Sequence, residues 1–412
     1  MYREITACRI CGNSDMVEIL DLGIQALTGV FPKTKGQQIT SGPLRLLKCV
    51  GGEGTCGLVQ LQHTYDLGEL YGDNYGYRSG LNPAMVSHLH SMVNRILPMA
   101  TLRRDSLIID IGANDGTTLR AFPEDGCTLV GIDPTGEKFR DYYPPHVQLI
   151  PEFFSAETVR RHCGSRKASV ITSFSMLYDL EEPLRFVREV REVLDDDGIW
   201  AFEQSYMPTM LKRNSYDTVC HEHLEYYSLK QIMWLLDRAD MKVLEVNFND
   251  TNGGSFCVVA GTKSSHREES SRVRETLDYE MCLGLESLKP FHEFAVRVSE
   301  SKTALREFLE SSRTAGKSIN GLGASTKGNV LLQYCNISSS EVEKIGEVNR
   351  DKFGSYTPGT LLPIVSEEEV LTDEPDYLLV LPWHFKGFFE SQARLRGRNL
   401  IFPLPGLEVV TM

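Results

Sequence analysis

The chain has 412 residues, 41% of them hydrophobic and 24% charged, and its formal net charge is −13. This length predicts two or three domains, and the acidic balance argues against a nucleic-acid partner, whose phosphates require a basic face. No window approaches the roughly 18 uncharged apolar residues of a membrane helix. The start, MYREITACRICGN, lacks a basic segment followed by an apolar one, so we expect no secretory signal, no membrane partner and a cytoplasmic location.

Cysteines mark the first predicted domain, residues 1–68. Four of the ten cysteines form two pairs, Cys8-x-x-Cys11 and Cys49-x6-Cys56, and glycines in the longer spacer CVGGEGTC allow its ends to converge. In a reducing compartment such pairs indicate a metal site before disulfides. We therefore predict a structural Zn²⁺ bound by all four sulfurs, with no open coordination position. Two buried cysteines with two incidental ones remain the alternative.

Strand-like and helix-like patterns alternate through the second predicted domain, residues 69–264. The apolar runs SLIIDIGA, TLVGIDP, ASVITSFS, GIWAFEQ and SFCVVAG are separated by helical patterns such as EPLRFVREVREVL. This alternation is typical of a mainly parallel sheet covered by helices. The predicted fold class is therefore α/β, with a Rossmann-like central domain.

The first of these strands runs into the turn G-A-N-D-G, and Asp133 ends the next strand 23 residues after Asp110. Glycines at 112 and 116 let the backbone approach a ligand, and an acidic strand end suits ribose hydroxyls. A carboxylate at Asp115 would repel the pyrophosphate of a dinucleotide. An unrelated Rossmann-like turn remains the alternative.

The pattern D-x-G-x-x-x-G with an acidic second strand end resembles the S-adenosylmethionine (SAM) motif of class I methyltransferases. SAM carries a sulfonium and an ammonium group and no phosphate, which agrees with the acidic turn. The resemblance implies a SAM site whose parts fall on separate strand ends. The methionine part would lie beside Asp110, Gly112, Asn114 and Gly116, the ribose beside Asp133, the adenine beside Glu152 and Phe153, and the sulfonium beside Ser175.

The third predicted domain, residues 265–412, begins with polar, helix-periodic sequence and continues as a second strand–turn–helix series. Its turn, SINGLGASTKGNVLL, combines glycines with one lysine ahead of a helix, a fair phosphate site. A second Rossmann-like domain is expected, either to bind a substrate's diphosphate or only to pack. The candidate binding residues are Gly323, Ser325, Thr326, Lys327 and Asn329.

The segment DTVCHEHLEYYS, residues 217–228, concentrates acid–base side chains. A zinc protease would need H-E-x-x-H, but the position four after His221 is Glu225, so a second metal is not expected. The ordered set of CRICGN, LDLGIQALTGVF, HEHLEYYS, NGGS, GLGASTKGNVLLQYC, YTPGTLLPI and LPWHF resembles the nucleotide-sugar C-methyltransferases. This family carries a zinc module, a class I methyltransferase domain and a C-terminal Rossmann-like domain. It methylates C3 of 4-keto-deoxysugars on a nucleoside diphosphate.

The resemblance implies roles for the acid–base residues, because carbon must become an enolate before it can attack a methyl group. His223 matches the general base, Glu222 a sugar contact and His221 its polar neighbour. Tyr77 matches a tyrosine that approaches the sugar, and Tyr75 is second for that role. Cys220, where relatives often have tyrosine, and His384, where asparagine is expected, depart from the family pattern.

The implied partner is therefore a nucleotide-sugar substrate, and the chain is expected to be a monomer or a weak oligomer. Two alternatives remain open at this point. One is an O- or N-methyltransferase acting on a small hydroxylated or amino substrate. The other is a non-catalytic sugar-nucleotide-binding or zinc scaffold protein, against which the intact SAM motif argues.

Overall fold

The computed structural model describes residues 2–52, 54–70 and 78–412. Within these ranges, no helix combines the length and apolar character needed to cross a bilayer. Helices α1–α11 span Leu67–Leu70, Pro83–Ile96, Ala156–Cys163, Pro183–Val193, Met207–Lys212, Leu229–Asp237, Ser271–Cys282, Lys289–Thr314, Thr326–Tyr334, Glu367–Thr372 and Lys386–Ser391.

An antiparallel sheet forms around the cysteine-rich segment and takes its last strand from the middle of the chain. Its strand order is β11-β4-β3-β2, and a separate pair joins β1 to β5. The segment after the two histidines is therefore part of the N-terminal sheet. The strands are β1 (Tyr2–Glu4), β2 (Met16–Ala26), β3 (Ser41–Cys49), β4 (Val59–Leu61), β5 (His63–Tyr65) and β11 (Glu225–Tyr226).

The central sheet has the Rossmann-like form of class I methyltransferases, as expected from the sequence. Its order is β12-β13-β10-β9-β6-β7-β8, in which β8 to β10 pair in parallel through β7, β6 and β9, and β13 is antiparallel to both neighbours. The strands are β6 (Ser106–Ile111), β7 (Cys127–Ile132), β8 (Val147–Ile150), β9 (Ala168–Phe174), β10 (Leu194–Ser205), β12 (Met241–Asn249) and β13 (Ser255–Thr262). The parallel strands end at one edge, where side chains and turns can meet around a ligand.

A second Rossmann-like sheet forms the C-terminal part, with the order β16-β15-β14-β17-β18-β19 and only β19 antiparallel to its neighbour. The predicted connecting helices are present as α7 and the 26-residue α8. The domain limits at 68/69 and 264/265 stay predictions. The strands are β14 (Ile319–Leu322), β15 (Ile345–Glu347), β16 (Ile364–Ser366), β17 (Tyr377–Val380), β18 (Asn399–Phe402) and β19 (Glu408–Thr411).

One large apolar cluster joins the N-terminal sheet to the C-terminal sheet through residues 207–226. Met207, Tyr216, Val219 and Cys220 are buried in this cluster rather than in the core of their own central sheet. Because protein interiors are close-packed, this burial fixes the path of the chain on both sides of the histidines. The H-E-H segment therefore lies where the three sheets meet.

Candidate active site

Four sulfur atoms converge in the N-terminal module as predicted. Those of Cys8, Cys11, Cys49 and Cys56 all lie within 4.8 Å of one another, and close pairs are 3.4–3.6 Å apart. Tetrahedral zinc with bonds of about 2.3 Å would set neighbouring sulfurs about 3.8 Å apart, so the cluster fits the ion. The amide of Asn13 also donates to the Cys49 sulfur at 3.3 Å, as suits a thiolate. These residues would hold a structural zinc.

The turn after β6 is open at Gly112 and is hydrogen-bonded to the end of the next strand. Gly112 has a φ of +73°, a conformation that residues with a Cβ rarely adopt, and its missing side chain leaves the turn open beside Met176. The carboxylate of Asp133 accepts from the backbone N–H of Asn114 at 2.8 Å. Its other oxygen accepts from the Thr135 N–H and hydroxyl, both at 2.7 Å. The ends of β6 and β7 are thus held together as one cradle.

Asp110 lies beneath this turn, buried in the sheet. Thr172 donates its hydroxyl to the Asp110 carboxyl at 2.6 Å. Burial raises the pKa of Asp110 to about 7, although the hydroxyls of Thr172 and Thr118 oppose the shift. Gly116, at the far end of the turn, also has a φ of +73° and lies against the ring of Tyr143. Both residues shape the turn, and their direct contact with SAM stays a prediction.

Tyr75 and Tyr77, the tyrosines expected to approach the sugar, lie outside the described residues. The chain that follows them is described and reaches the turn after β6. The backbone N–H of Ser79 donates to the Asn114 side chain at 2.9 Å, and that of Gly80 donates to the Asp115 carboxylate at 3.0 Å. Asp115 therefore holds residue 80 instead of leaving its charge unpaired in the turn.

The remaining predicted SAM contacts follow β8 and β9. Phe153 is 61% exposed, which leaves a ring face free for a flat base. Glu152 forms an ion pair with Arg161, and its other carboxylate oxygen lies 3.1 Å from His162 Nε2. Ser175 has a φ of +56° and donates its N–H to the Glu203 carbonyl at 2.7 Å. A non-glycine residue in this left-handed conformation is strained, as is common at ligand sites.

Replacing Asp133 by alanine should weaken SAM binding about tenfold to a hundredfold, because the cradle loses its charge-assisted hydrogen bonds. Isothermal titration calorimetry with SAM would measure the change in Kd. Asp141→Ala, at an exposed position, is the matched control and should bind SAM as the natural protein does. An unchanged Kd for Asp133→Ala would show that Asp133 has no part in the SAM site.

One ring nitrogen of His223 forms a hydrogen bond to the backbone, and the other can accept a proton. Its Nδ1 lies 3.0 Å from the backbone carbonyl oxygen of Thr218, and its ring packs against that of Tyr178 with centroids 4.4 Å apart. Since a carbonyl oxygen only accepts hydrogen bonds, Nδ1 carries the proton and Nε2 keeps its lone pair. Burial, aided by the charge of Lys327, lowers the pKa of His223 to about 4. At neutral pH the ring is therefore an uncharged proton acceptor.

Glu222 packs against the N-terminal segment, a contact that the sequence analysis did not predict. A Cβ on Gly29 would lie 2.5 Å from the Glu222 Oε1 atom and 3.9 Å from the Thr326 hydroxyl oxygen. The hydroxyl of Thr28 also lies 3.5 Å from Oε2. Burial raises the pKa of Glu222, and neighbouring hydrogen bonds limit the shift. Residues from all three predicted domains thus meet around Gly29.

His221 and Cys220 point into the apolar interior. His221 is fully buried, its ring meets that of Tyr65 edge-on with centroids 4.6 Å apart, and burial lowers its pKa to about 3. Cys220 is likewise fully buried, and burial raises the pKa of its thiol well above the usual value. These two residues support the backbone beneath Glu222 and His223, so the place of His221 in the reaction stays a prediction.

Lys327 brings a positive charge to the same region. Its ammonium group donates to the Asn252 carbonyl oxygen, and burial lowers its pKa, opposed by the charge of Asp217. Asp217 in turn accepts from the Trp383 indole N–H at 2.8 Å. His384, which follows Trp383 in the chain, is also held uncharged, because burial and the charge of Lys327 lower the pKa of His384 to about 3. The cation is thus positioned by the central and C-terminal parts together.

The other predicted substrate-binding residues organise the start of α9. Ser325 caps the helix by accepting the N–H of Gly328 at 3.0 Å, and Gly323 has a φ of +83° close to the Pro382 ring. The buried Asn329 amide donates to the Thr28 carbonyl at 2.8 Å. Asn329 therefore holds the residue that faces Glu222. Whether Gly323, Ser325, Thr326 or Asn329 contacts a substrate stays a prediction.

A partly buried polar chain at the end of β10 was also not predicted. The Glu203 carboxylate lies 2.7 Å from His88 Nε2 and accepts from the Asn249 amide at 2.6 Å. The other nitrogen of His88 lies 3.2 Å from the Thr251 hydroxyl. This chain fixes α2 and the 249–254 loop to the strand end beside Ser175. No local pattern indicates it, because residues 88 and 203 are 115 positions apart.

Three family descriptions match successive parts of the chain: "Putative zinc binding domain" at residues 8–71, "Methyltransferase domain" at 85–246 and "C-methyltransferase C-terminal domain" at 250–405. The chain is 29% identical over 423 residues to C-methyltransferase NovU of Streptomyces niveus, with 100% of the chain and 98% of that protein covered.

Two further similarities cover less of the chain. A ubiquinone biosynthesis O-methyltransferase of Actinobacillus pleuropneumoniae serotype 5b (strain L20) is 21% identical over 192 residues, 40% of this chain and 75% of that protein. The solved CcbJ methyltransferase from Streptomyces caelestis is 13% identical, covers 45% of this chain and 99% of its own, and gives a TM-score of 0.34. The full-length similarity is therefore to a C-methyltransferase.

Proposed function

We propose a substrate and a methylation position for this chain, which is a SAM-dependent methyltransferase of the zinc-containing C-methyltransferase family. The substrate is a nucleoside-diphosphate-linked 4-keto-deoxysugar, and its C3 atom receives the methyl group. The family resemblance of the motifs from CRICGN to LPWHF supports this substrate class. We place the enzyme in the cytoplasm, in keeping with ten cysteines that form no disulfide.

The observation that carries the proposal is the state of His223. Its Nδ1–H is committed to the Thr218 carbonyl, and its lowered pKa keeps Nε2 unprotonated at neutral pH. Nε2 then removes the proton from C3, which is acidic because the adjacent C4 ketone stabilises the carbanion as an enolate. A methyl transfer to oxygen or nitrogen would not require this loss of a carbon-bound proton.

Other residues of the site orient the sugar and stabilise the charge that develops on it. Glu222 offers a carboxyl group that is fixed by Thr28 and by close contact with Gly29. Lys327 supplies a desolvated cation, suited either to the enolate oxygen or to a substrate phosphate. Tyr178 packs edge-on against the His223 ring and limits the directions from which that ring can be reached.

Bound SAM supplies an electrophilic methyl group on its sulfonium. The chain must hold the enolate carbon in line with that group and exclude water. Tyr178, on the base, follows Ser175 by three positions, so the end of β9 joins the donor side of the site to the acid–base side. This continuity supports methyl transfer between the two sides of the site.

A panel of dTDP-, GDP- and CDP-linked 4-keto-deoxysugars tests the proposal. The enzyme is incubated with SAM and each sugar, methylation is detected by mass, and the product is examined by NMR. We expect one nucleotide series to gain a methyl group bonded to C3. Methylation at oxygen or nitrogen, or methylation of none of the panel, would contradict the proposed substrate and regiochemistry.

The pH dependence of kcat/KM should reflect the lowered pKa of His223. Because the folded pKa is about 4, the proton-accepting form predominates above that pH, and the acidic limb should lie below the usual 6.5 of histidine. Lys327→Met removes one of the two causes of the shift, so its acidic limb should move to higher pH. Rates between about pH 4 and 8 provide the test, and identical limbs would exclude electrostatic coupling of Lys327 to the base.

A further inference from the structure

The segment that carries His223 is bonded to the zinc-binding sheet immediately after the histidine. The carbonyl of Leu224 accepts from the Leu61 N–H at 2.8 Å, and its own N–H donates to the Tyr178 carbonyl at 2.7 Å. Strand β11 then pairs with β4, in the register Glu225 to Gln60. The position of the base is therefore tied to an element of the N-terminal module.

A buried ion pair lies at this connection. Arg9 lies between Cys8 and Cys11, and its guanidinium donates to the Leu61 carbonyl at 2.6 Å. Its Nε lies 3.6 Å from Glu225 Oε1, and the side chains are 3% and 0% exposed. The zinc turn thus delivers a positive charge to the residue two positions after His223.

The second cysteine pair reaches the same part of the chain. Gln231 donates its amide to the Cys56 carbonyl at 2.9 Å, and its carbonyl oxygen accepts from the Ser228 N–H and hydroxyl. One end of the stretch from 225 to 231 is consequently held by Arg9, which is next to a predicted zinc ligand, and the other end by the ligand Cys56 itself. Residues of the SAM cradle lie on other elements, at the ends of β6 and β7.

A buried ion pair is weak evidence for stability, because desolvation of two charges opposes their attraction, and apolar pairs of similar volume are often as stable. Buried charges are retained in some proteins because they specify one arrangement. Arg9 and Glu225 are placed to specify one arrangement of the chain beside the base.

We propose that Arg9 and Glu225 are positioning residues through which the zinc-bound module holds His223 in its reactive orientation. This inference rests on the proposed function, in which His223 is the base. It predicts that the pair affects turnover and the order of residues 221–226, and has little effect on SAM binding.

The test replaces both charges together, Arg9→Met with Glu225→Leu, so that no unpaired charge is left in the interior. We expect one bound zinc per chain by elemental analysis and a SAM Kd within about threefold of the natural protein, with a thermal midpoint within a few degrees of it. Hydrogen–deuterium exchange of residues 221–226 should become faster, and kcat should fall about tenfold to a hundredfold. The control is Arg45→Met with Asp21→Leu, which removes an exposed ion pair at 2.9 Å in the same module. This control should change neither the exchange rate of residues 221–226 nor kcat.

Natural exchange rates and natural kcat in the Arg9–Glu225 double variant would overturn the inference. Lost zinc or a large fall in thermal midpoint would also overturn it, because the pair would then be structural. Failure of the proposed function can be told apart from failure of this inference, because His223→Ala would then turn over normally. Hydrogen–deuterium exchange at 221–226 would still report whether the Arg9–Glu225 pair holds the segment.

Discussion

His223→Ala should lower kcat for methyl transfer by about a hundredfold to ten-thousandfold, because the substrate carbon loses its general base. SAM binding should stay within about threefold, since the cradle around Gly112 and Asp133 does not use this side chain. Rapid-quench measurement of methyl transfer and calorimetry with SAM would provide the two values.

The matched control for His223→Ala is His146→Ala, at an exposed position away from the H-E-H segment. It should retain natural kcat and natural SAM affinity. Normal turnover by His223→Ala would remove the base assignment, whereas a large loss of SAM affinity in the same variant would indicate a collapsed site.

Removing zinc should have the largest effect on stability. A structural zinc contributes about 10–16 kcal/mol in small zinc-binding peptides, as much as the whole unfolding free energy of many proteins. Cys49→Ser should therefore release the ion and unfold the N-terminal module, and with it the sheet that includes β11. Zinc content by elemental analysis and thermal unfolding followed by circular dichroism would measure both effects.

Cys282→Ser, which changes an exposed cysteine, should keep one zinc per chain and the natural thermal midpoint. A chelator should reproduce the Cys49→Ser result in the natural protein. A natural protein that contains no zinc and is unaffected by the chelator would contradict the assignment of the four-sulfur cluster.

Local patterns in the sequence were sufficient to predict five strands of the central sheet, β6, β7, β9, β10 and β13, and the turn after β6. The run SLIIDIGA with its following turn predicts β6 and the bend at Gly112, because strand periodicity and glycine placement are properties of neighbouring residues. The convergence of the cysteine pairs followed from spacing and glycine content, and the structure confirms it.

Contacts between distant parts of the chain could not be predicted in this way. Thr28 and Glu222 are 194 positions apart, and Arg9 and Glu225 meet because β11 leaves the central part to join the N-terminal sheet. Docking of sheets is decided by long-range burial, which leaves no periodic trace in one sequence. The inward direction of His221, whose neighbour Glu222 faces the site, has the same cause.

Exchange of a carbon-bound hydrogen tests the central claim most directly. A 4-keto nucleotide sugar deuterated at C3 is incubated in ordinary water with the enzyme and S-adenosylhomocysteine, which cannot donate a methyl group. We predict that the natural protein and His146→Ala wash deuterium out of C3 and that His223→Ala does not. Methylation of a sugar from the panel with complete retention of deuterium at its ring carbons would contradict an enolate mechanism and favour transfer to oxygen or nitrogen.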